Sequence, residues 1–177
     1  MADVAPSYAV RPLRAADLKH IAAIEESGEP QFRAAFGADM HPVLSEPAAS
    51  GWERDDRPGF ILVAAEDGQP PVGFAHVLEI DGHAHLEQLS VRPEAQGQGV
   101  GTSLVRAAMR EARRDGHRQL SLCTYRDLPF NGPFYATLGF QEVTDPLPFQ
   151  RQLREHEAAL GLDDDGPRIV MSVALSG

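Results

Sequence analysis

A hairpin signal followed by a strand, helix and strand segment most strongly limits the folds open to this chain. Two strand-like stretches, residues 72–80 and 84–91, lie close together in the sequence. Asp81 and Gly82 separate them, a pair that adopts the positive φ angles of a tight antiparallel turn. A helical stretch then leads to a further strand at 119–124, which requires a right-handed crossover and a parallel pair. The sheet must therefore be mixed.

The remaining patterns complete this sheet and add helices around it. Strands are also predicted at 8–13, 60–66, 140–143 and 168–175. Helices are predicted at 15–24, near 31–36 and 44–52, around Leu104 to Ala112, at 131–139 and at 149–160. The expected fold class is α/β (α+β), with a mixed, mostly antiparallel sheet of about seven strands flanked by helices.

Length and composition indicate a globular protein. The chain has 177 residues, 42% of them hydrophobic and 24% charged, which suits one domain spanning 1–177. Its longest apolar run, residues 60–65, is far shorter than a membrane span, and no secretory signal is recognised. A lone cysteine, Cys123, excludes an internal disulfide. We therefore expect a cytoplasmic protein, either a monomer or a homodimer, without membrane association.

The charge balance argues against a nucleic-acid binder. The net charge of −10 opposes contact with phosphate backbones and favours cationic partners. No metal-binding pattern is recognised, so no metal is expected.

A glycine-rich loop, residues 96–101, is the most informative motif. It lies between a strand and a helix, where glycines allow positive φ angles and the free amides of the helix start favour a phosphate or pyrophosphate. A Walker loop would need Gly-Lys and has no match here. A dinucleotide fingerprint would need glycine where Thr102 stands. A turn without any ligand stays open as an alternative.

Two segments resemble the acetyl-CoA-binding core of the GNAT superfamily of N-acetyltransferases. The first reads Leu89-x-Val91-x-Pro93-x-x-Gln96-x-x-Gly99-x-Gly101. The second has Asn131 before Phe134, Tyr135, Leu138, Gly139 and Phe140. Together they cover about residues 84–143.

The resemblance implies that acetyl-CoA is the co-substrate and that a strand edge and the loop hold it. The backbone of Leu89, Ser90 and Val91 would bind the pantetheine arm. The pyrophosphate would be held by amides of Gln96, Gly97, Gln98, Gly99, Val100, Gly101 and Thr102. Asn131, which could also be only a helix N-cap, and Phe134 would contact the same molecule. A backbone amide near Leu89 or Ser90 would serve the thioester carbonyl.

Acetyl transfer to an amine needs a base, because an alkylamine has a pKa of about 10.4 and is protonated at neutral pH. Strand alternation would put His85, Glu87, Leu89 and Val91 on one face. The stretch from Ala84 is similar to that of serotonin N-acetyltransferases, whose two histidines are the proposed bases. Here Glu87 replaces one of them, and we favour Glu87 as base with His85 as relay or partner. Both could instead be structural residues.

Two further side chains are candidates for proton transfer or covalent chemistry. Tyr135 could protonate the departing thiolate, as the resemblance suggests, given favourable positioning or a lowered pKa, or it could be only a packed aromatic residue. Cys123 could in principle carry the acetyl group, but we expect a small core residue.

The acceptor cannot be read from the sequence beyond a primary amine of a small molecule or peptide. Acidic residues of the first third, together with Trp52, could line a site for a cationic amine, although solvated acids are the simpler interpretation: Glu25, Glu26, Glu29, Asp39, Asp55 and Asp56. The segment 149–160 could cover that site or join a dimer. The expected function is N-acetyl transfer by direct attack in a ternary complex. The alternatives are a non-catalytic acyl-CoA-binding regulatory module and an enzyme that binds another phosphate ligand.

Overall fold

A computed structural model describes residues 7–175 of the chain. Within these residues seven strands form one sheet: β1 (Ala9–Pro12), β2 (Gly59–Ala65), β3 (Gly73–Ile80), β4 (His83–Val91), β5 (Gln119–Tyr125), β6 (Gln141–Glu142) and β7 (Arg168–Ala174). The α-helices of the same residues are α1 (Ile21–Glu26), α2 (Glu29–Phe36), α3 (Gly51–Asp55), α4 (Val100–Arg114), α5 (Gly132–Thr137) and α6 (Pro148–Ala159). None of these helices is long and apolar enough to cross a membrane.

The strand order is β1-β2-β3-β4-β5-β7-β6. Strands β4 and β5 run parallel, because α4 carries the chain back across the sheet between them, and every other neighbouring pair of described strands is antiparallel. The turn between β3 and β4 has φ angles of +50° at Asp81 and +76° at Gly82, as its sequence predicts. The predicted mixed, mostly antiparallel sheet is confirmed.

Each face of the sheet is covered by helices. On one face Leu62 and Ala64 of β2 pack with Leu104 and Val105 of α4. On the other face Ile61 and Val63 join Ile21 and Ile24 of α1 and Phe74 of β3. Since both faces are buried, β2 has an unbroken apolar run instead of alternating residues.

The segment before β2 is less regular than the sequence predicts. The predicted helix 15–24 is a 3-10 helix at Ala15–His20 that continues into α1. The predicted helix near 44–52 is instead a 3-10 turn at Pro42–Ser45 followed by the short α3, which begins at a capping box of Ser50 and Glu53.

Strands β4 and β5 separate partway along their length. They pair from Ala84 to Leu86 against Leu120 to Leu122, and no further pairing joins them. A bulge follows immediately, because Val77 of β3 is opposite Leu86 while His76 is opposite Gln88, which leaves Glu87 without a partner. The divergence opens a cleft at this end of the sheet.

Candidate active site

The cleft has a volume of about 1200 Å³ and is bounded by β4, β5, the glycine loop and helices from both ends of the chain. Most of the residues predicted as a site line it: His85, Glu87, Leu89, Ser90, Val91, Gln96, Gly97, Gly99, Val100, Gly101, Thr102, Asn131, Phe134 and Tyr135. Gln98 does not; its side-chain amide donates to the Glu94 carbonyl, 3.0 Å away, and faces another hollow.

The free edge of β4 presents backbone groups to the cleft. The Arg92 amide donates to the Val72 carbonyl at 2.7 Å. Together with the register of β3 and β4, this bond determines which residues of β4 direct their peptide groups towards β3. Peptide groups of an antiparallel strand alternate in direction, so Ser90 bonds β3, whereas Leu89 and Val91 face the cleft. The Val91 carbonyl accordingly accepts from Gln96 Nε2 at 3.0 Å. Of the two amides predicted to serve the thioester carbonyl, the one at Leu89 faces the cleft.

The predicted common face of four β4 side chains is wrong. Leu89 and Val91 pack against the α4-side cluster that also contains Leu86, although 86 and 89 differ by an odd number. The bulge at Glu87 causes this shift, because one extra residue reverses the alternation. His85 and Glu87 still line the cleft together.

The glycine loop presents free amides at the start of α4. Gly97 and Gly99 have φ angles of +72° and +78°, which other residues rarely adopt. The first amide bonded within the helix is that of Ser103, to the Gly99 carbonyl. Within residues 7–175 none of the amides from Gly97 to Thr102 donates to a protein acceptor. The positive end of a 15-residue helix thus opens onto the cleft.

His85 is held firmly at the point where β4 and β5 diverge. Its side chain is only 2% exposed, its Nδ1 lies 2.9 Å from Ser121 Oγ, and Phe149 contacts its ring edge-to-face. Burial lowers the pKa of His85, opposed by the charges of Glu87 and Glu157. The ring is therefore neutral at neutral pH.

Glu87 is half-buried and belongs to a set of charged groups on the α1 side. Its Oε1 lies 3.5 Å from Nη1 of Arg57. The neighbouring Glu25 accepts from Arg54 at 2.5 Å, yet burial raises the pKa of Glu25, with the Glu87 charge adding to the effect. Two carboxylates thus lie close to each other beside the divergence of the strands.

Tyr135 lies on α5 and lines the same cleft. Its ring contacts those of Phe134 and Phe140 at centroid distances of 5.1 and 5.7 Å. Burial raises the pKa of Tyr135, so the phenol keeps its proton across the physiological pH range. No residue within 7–175 forms a hydrogen bond with its hydroxyl.

The structure departs from two structural roles expected from the sequence, that of Cys123 as a core residue and that of Asn131 as only a helix N-cap. Cys123 lines the cleft instead of lying in the core, and burial raises its pKa to about 12, which disfavours a nucleophilic thiolate. Asn131 occupies the N-cap position of α5, but its side chain makes no capping hydrogen bond. Its amide is therefore available to the cleft.

Comparison with known proteins identifies the family. A model of the Acetyltransferase (GNAT) family matches residues 21–140. The chain belongs to the GNAT acetyltransferase family. A Bacillus subtilis (strain 168) protein provisionally named a ribosomal protein bS18-alanine N-acetyltransferase is 28% identical over 116 residues, which cover 64% of this chain and 68% of that protein.

Solved structures support the GNAT fold. The ribosomal-protein-S18-alanine N-acetyltransferase from Escherichia coli has a TM-score of 0.65 at 18% identity, over 97% of this chain and 96% of the other. The PaiA N-acetyltransferase from Thermoplasma acidophilum, crystallised with coenzyme A, has a TM-score of 0.67 at 16% identity, over 95% and 99% of the two chains.

Charge is distributed unevenly in this GNAT cleft. The residues that line it between Leu89 and Thr102 include no acid. All acidic lining residues lie elsewhere: Glu25, Glu26, Glu29, Glu46, Glu87 and Glu157. Of the acids considered from sequence, Asp39, Asp55 and Asp56 do not line the cleft, and Trp52 is 56% exposed outside it.

Helix α6, whose role the sequence left open between covering the acceptor site and joining a dimer, forms part of the wall of the cleft. Leu153, His156 and Glu157 line the cleft, as does Arg168 of β7. Arg168 Nη2 donates to Glu157 Oε1 at 2.9 Å, and Arg154 donates to Glu157 Oε2 at 2.5 Å. The apolar stripe of α6 was visible in the sequence, but no spacing rule links Glu157 to β7.

Proposed function

We propose that this chain transfers the acetyl group of acetyl-CoA to a primary amine by direct attack in a ternary complex. One observation carries the proposal. The backbone donors of the β4 edge and of the α4 start open onto the same cleft as His85, Glu87 and Tyr135. Binding groups and candidate proton-transfer groups thus line the same cleft.

The residues present fit coenzyme A as a substrate. Free amides from Gly97 to Thr102, at a helix start with no acidic neighbour in the cleft, suit the pyrophosphate. The cleft-facing peptide groups of Leu89 and Val91 suit the pantetheine amides, as in the addition of a strand to a sheet edge. We assign Asn131 and Phe134 to the same substrate, because both line the cleft and Phe134 lies against Gly101 of the glycine loop.

In the reaction, the neutral amine nitrogen attacks the thioester carbonyl carbon while its proton passes to Glu87, directly or through water. The Leu89 amide stabilises the negative charge that develops on the carbonyl oxygen. The carbon–sulfur bond then breaks, and Tyr135 gives its proton to the departing sulfur. Burial raises the pKa of Tyr135 and makes the phenol a weaker acid, so this transfer depends on the position of the phenol beside the departing sulfur, whose charge the same burial disfavours.

We further propose the N-terminal amine of a protein or peptide as acceptor. The names of the B. subtilis and E. coli proteins support this choice. The acidic lining outside the glycine loop would attract a cationic amine. An α-amine has a pKa of about 7.7–8.0 against about 10.4 for lysine, so a carboxylate can deprotonate it more readily.

A thiol-release assay with acetyl-CoA tests both levels of the proposal. Acceptors are a peptide with a free N-terminal alanine, the same peptide blocked at its N-terminus but containing lysine, and a polyamine. Release with the free peptide alone is expected. Release with the polyamine alone would retain the enzyme and refute the peptide acceptor. Binding of acetyl-CoA in calorimetry without release from any amine would favour the regulatory module.

A further inference from the structure

The contact between His85 and Ser121 joins the two diverging strands at their last paired residues. His85 of β4 is opposite Ser121 of β5 in the parallel register, and Nδ1 lies 2.9 Å from Oγ. Ser121 is 3% exposed. Within residues 7–175 the imidazole is the partner of this hydroxyl.

The direction of that hydrogen bond determines the tautomer of the ring. If Nδ1–H donated to Ser121, the hydroxyl proton would be buried without any acceptor, which is unfavourable. If Ser121 donates to Nδ1, both groups are satisfied. Nδ1 is then the acceptor, and the single proton of the neutral ring lies on Nε2.

The other ring nitrogen, Nε2, is not fully enclosed by protein. Nε2 of His85 has no hydrogen-bond partner within residues 7–175. Unlike Arg54 Nε and His76 Nε2, which are fully buried and also lack a partner, it retains some exposed surface. It therefore keeps contact with the space of the cleft. Two charged groups act on the ring, Glu87 from β4 and Glu157 from α6.

We infer that Ser121 is a positioning residue that fixes His85 as the Nε2–H tautomer, so that His85 donates a hydrogen bond in the cleft and Glu87 takes the proton of the amine. The inference rests on the proposed function and deepens it. A nitrogen that carries a proton has no lone pair to act as a base, whereas Nε2–H can orient the Glu87 carboxylate or a water between Glu87 and the amine.

Nitrogen-15 NMR of the full chain tests the tautomer without any turnover. Two-bond proton–nitrogen correlations of histidine-labelled protein distinguish Nε2–H from Nδ1–H, and the spectrum of His85→Gln assigns the signal among the seven histidines. The expected wild-type signal is Nε2–H. An Nδ1–H signal would overturn the inference even if the chain proves to be an active acetyltransferase. Conversely, an inactive chain with Nε2–H would leave the tautomer intact and refute the proposed function.

Variants of Ser121 test its positioning role. In Ser121→Ala we expect a measurable population of Nδ1–H and a roughly tenfold lower kcat, while Ser121→Thr, which keeps the hydroxyl, restores the Nε2–H signal and most of the rate. An unchanged tautomer in Ser121→Ala would contradict the role of Ser121.

The kinetics of His85 and Glu87 variants show which residue donates a hydrogen bond and which takes the proton of the amine. Glu87→Gln is expected to lower kcat by about 10³-fold and to remove the acidic limb of its pH profile, in the range of a lost general base. His85→Gln keeps an N–H donor, so we expect only about a tenfold loss with the acidic limb retained. If the limb disappears in His85→Gln and persists in Glu87→Gln, His85 is the base and the inference is wrong. Circular dichroism and melting curves of each variant establish that it is folded.

Discussion

The two halves of the cleft are built by different means. The half formed by residues 89–102, which are the end of β4 and the glycine loop, presents main-chain amides and no carboxylate. The half formed by α1, α2 and α6 presents charged side chains held by other charged side chains, such as Glu157 between Arg154 and Arg168. Main-chain groups suit a substrate part that never changes, whereas side chains can be exchanged to change the acceptor. The experiments below can break or sharpen this contrast.

The largest effect is expected at Tyr135, on α5, which belongs to neither half. Tyr135→Phe removes the proton that the departing sulfur needs, and kcat should fall by about 10³-fold with the affinity for acetyl-CoA nearly unchanged. Tyr125→Phe is the matched control, since it removes a hydroxyl that donates to the Leu162 carbonyl at 2.8 Å. We expect a lower melting temperature there and a far smaller kinetic change. An unchanged kcat in Tyr135→Phe would remove Tyr135 from the mechanism.

Next in size is a pH effect on stability that arises behind the side-chain half, where Arg54 contacts both His76 and the cleft-lining Glu25. His76 is buried beside Arg54, and burial lowers its pKa to about 4. Below pH 6.5 His76 takes up a proton in the unfolded chain but stays unprotonated in the folded chain. The stability present above pH 6.5 is therefore lost towards pH 4, by up to about 3 kcal/mol. Urea unfolding across this window measures the loss, and His76→Gln should reduce the slope. An identical slope in the variant would place the effect elsewhere.

The main-chain half is tested by distorting it. Gly99→Val puts a branched residue at a φ of +78° and turns the loop amides away from the pyrophosphate. Losing two hydrogen bonds to a charged group should weaken acetyl-CoA binding by about 100-fold in calorimetry. Gly68→Val, at a φ of +69° with open space around it, imposes a similar strain outside the cleft. Equal affinities for acetyl-CoA in the two variants would refute the phosphate site.

The smallest effect is expected on α6. Glu157→Gln weakens the charge-assisted bonds from Arg168 that connect β7 to α6, so KM for the acceptor should rise about tenfold while KM for acetyl-CoA stays the same. Glu155→Gln, exposed on the same helix, is the control. A rise in KM for acetyl-CoA instead would show that α6 belongs to the cofactor half.

The same contrast explains how much the sequence could predict. The mixed sheet and the glycine loop were predictable because Asp81 and Gly82, Gly97 and Gly99 have backbone requirements that few other residues meet. The bulge at Glu87 was not, since the alternation rule assumes uninterrupted pairing and no residue type marks the extra position. Burial of Phe149 against His85 was equally hidden, because it joins residues more than sixty positions apart.

The bulge in β4 has a consequence for redesign of this enzyme. The alternation of side chains before Glu87 is opposite in phase to the alternation after it, so the two parts of β4 are offset by one residue. Because Leu86 and Gln88 are opposite consecutive residues of β3, deleting Glu87 would remove the bulge and the candidate base, while Leu89 and Val91 would keep their present register. Acceptor preference should therefore be altered by exchanging residues on α1, α2 and α6, with the length of β4 left untouched.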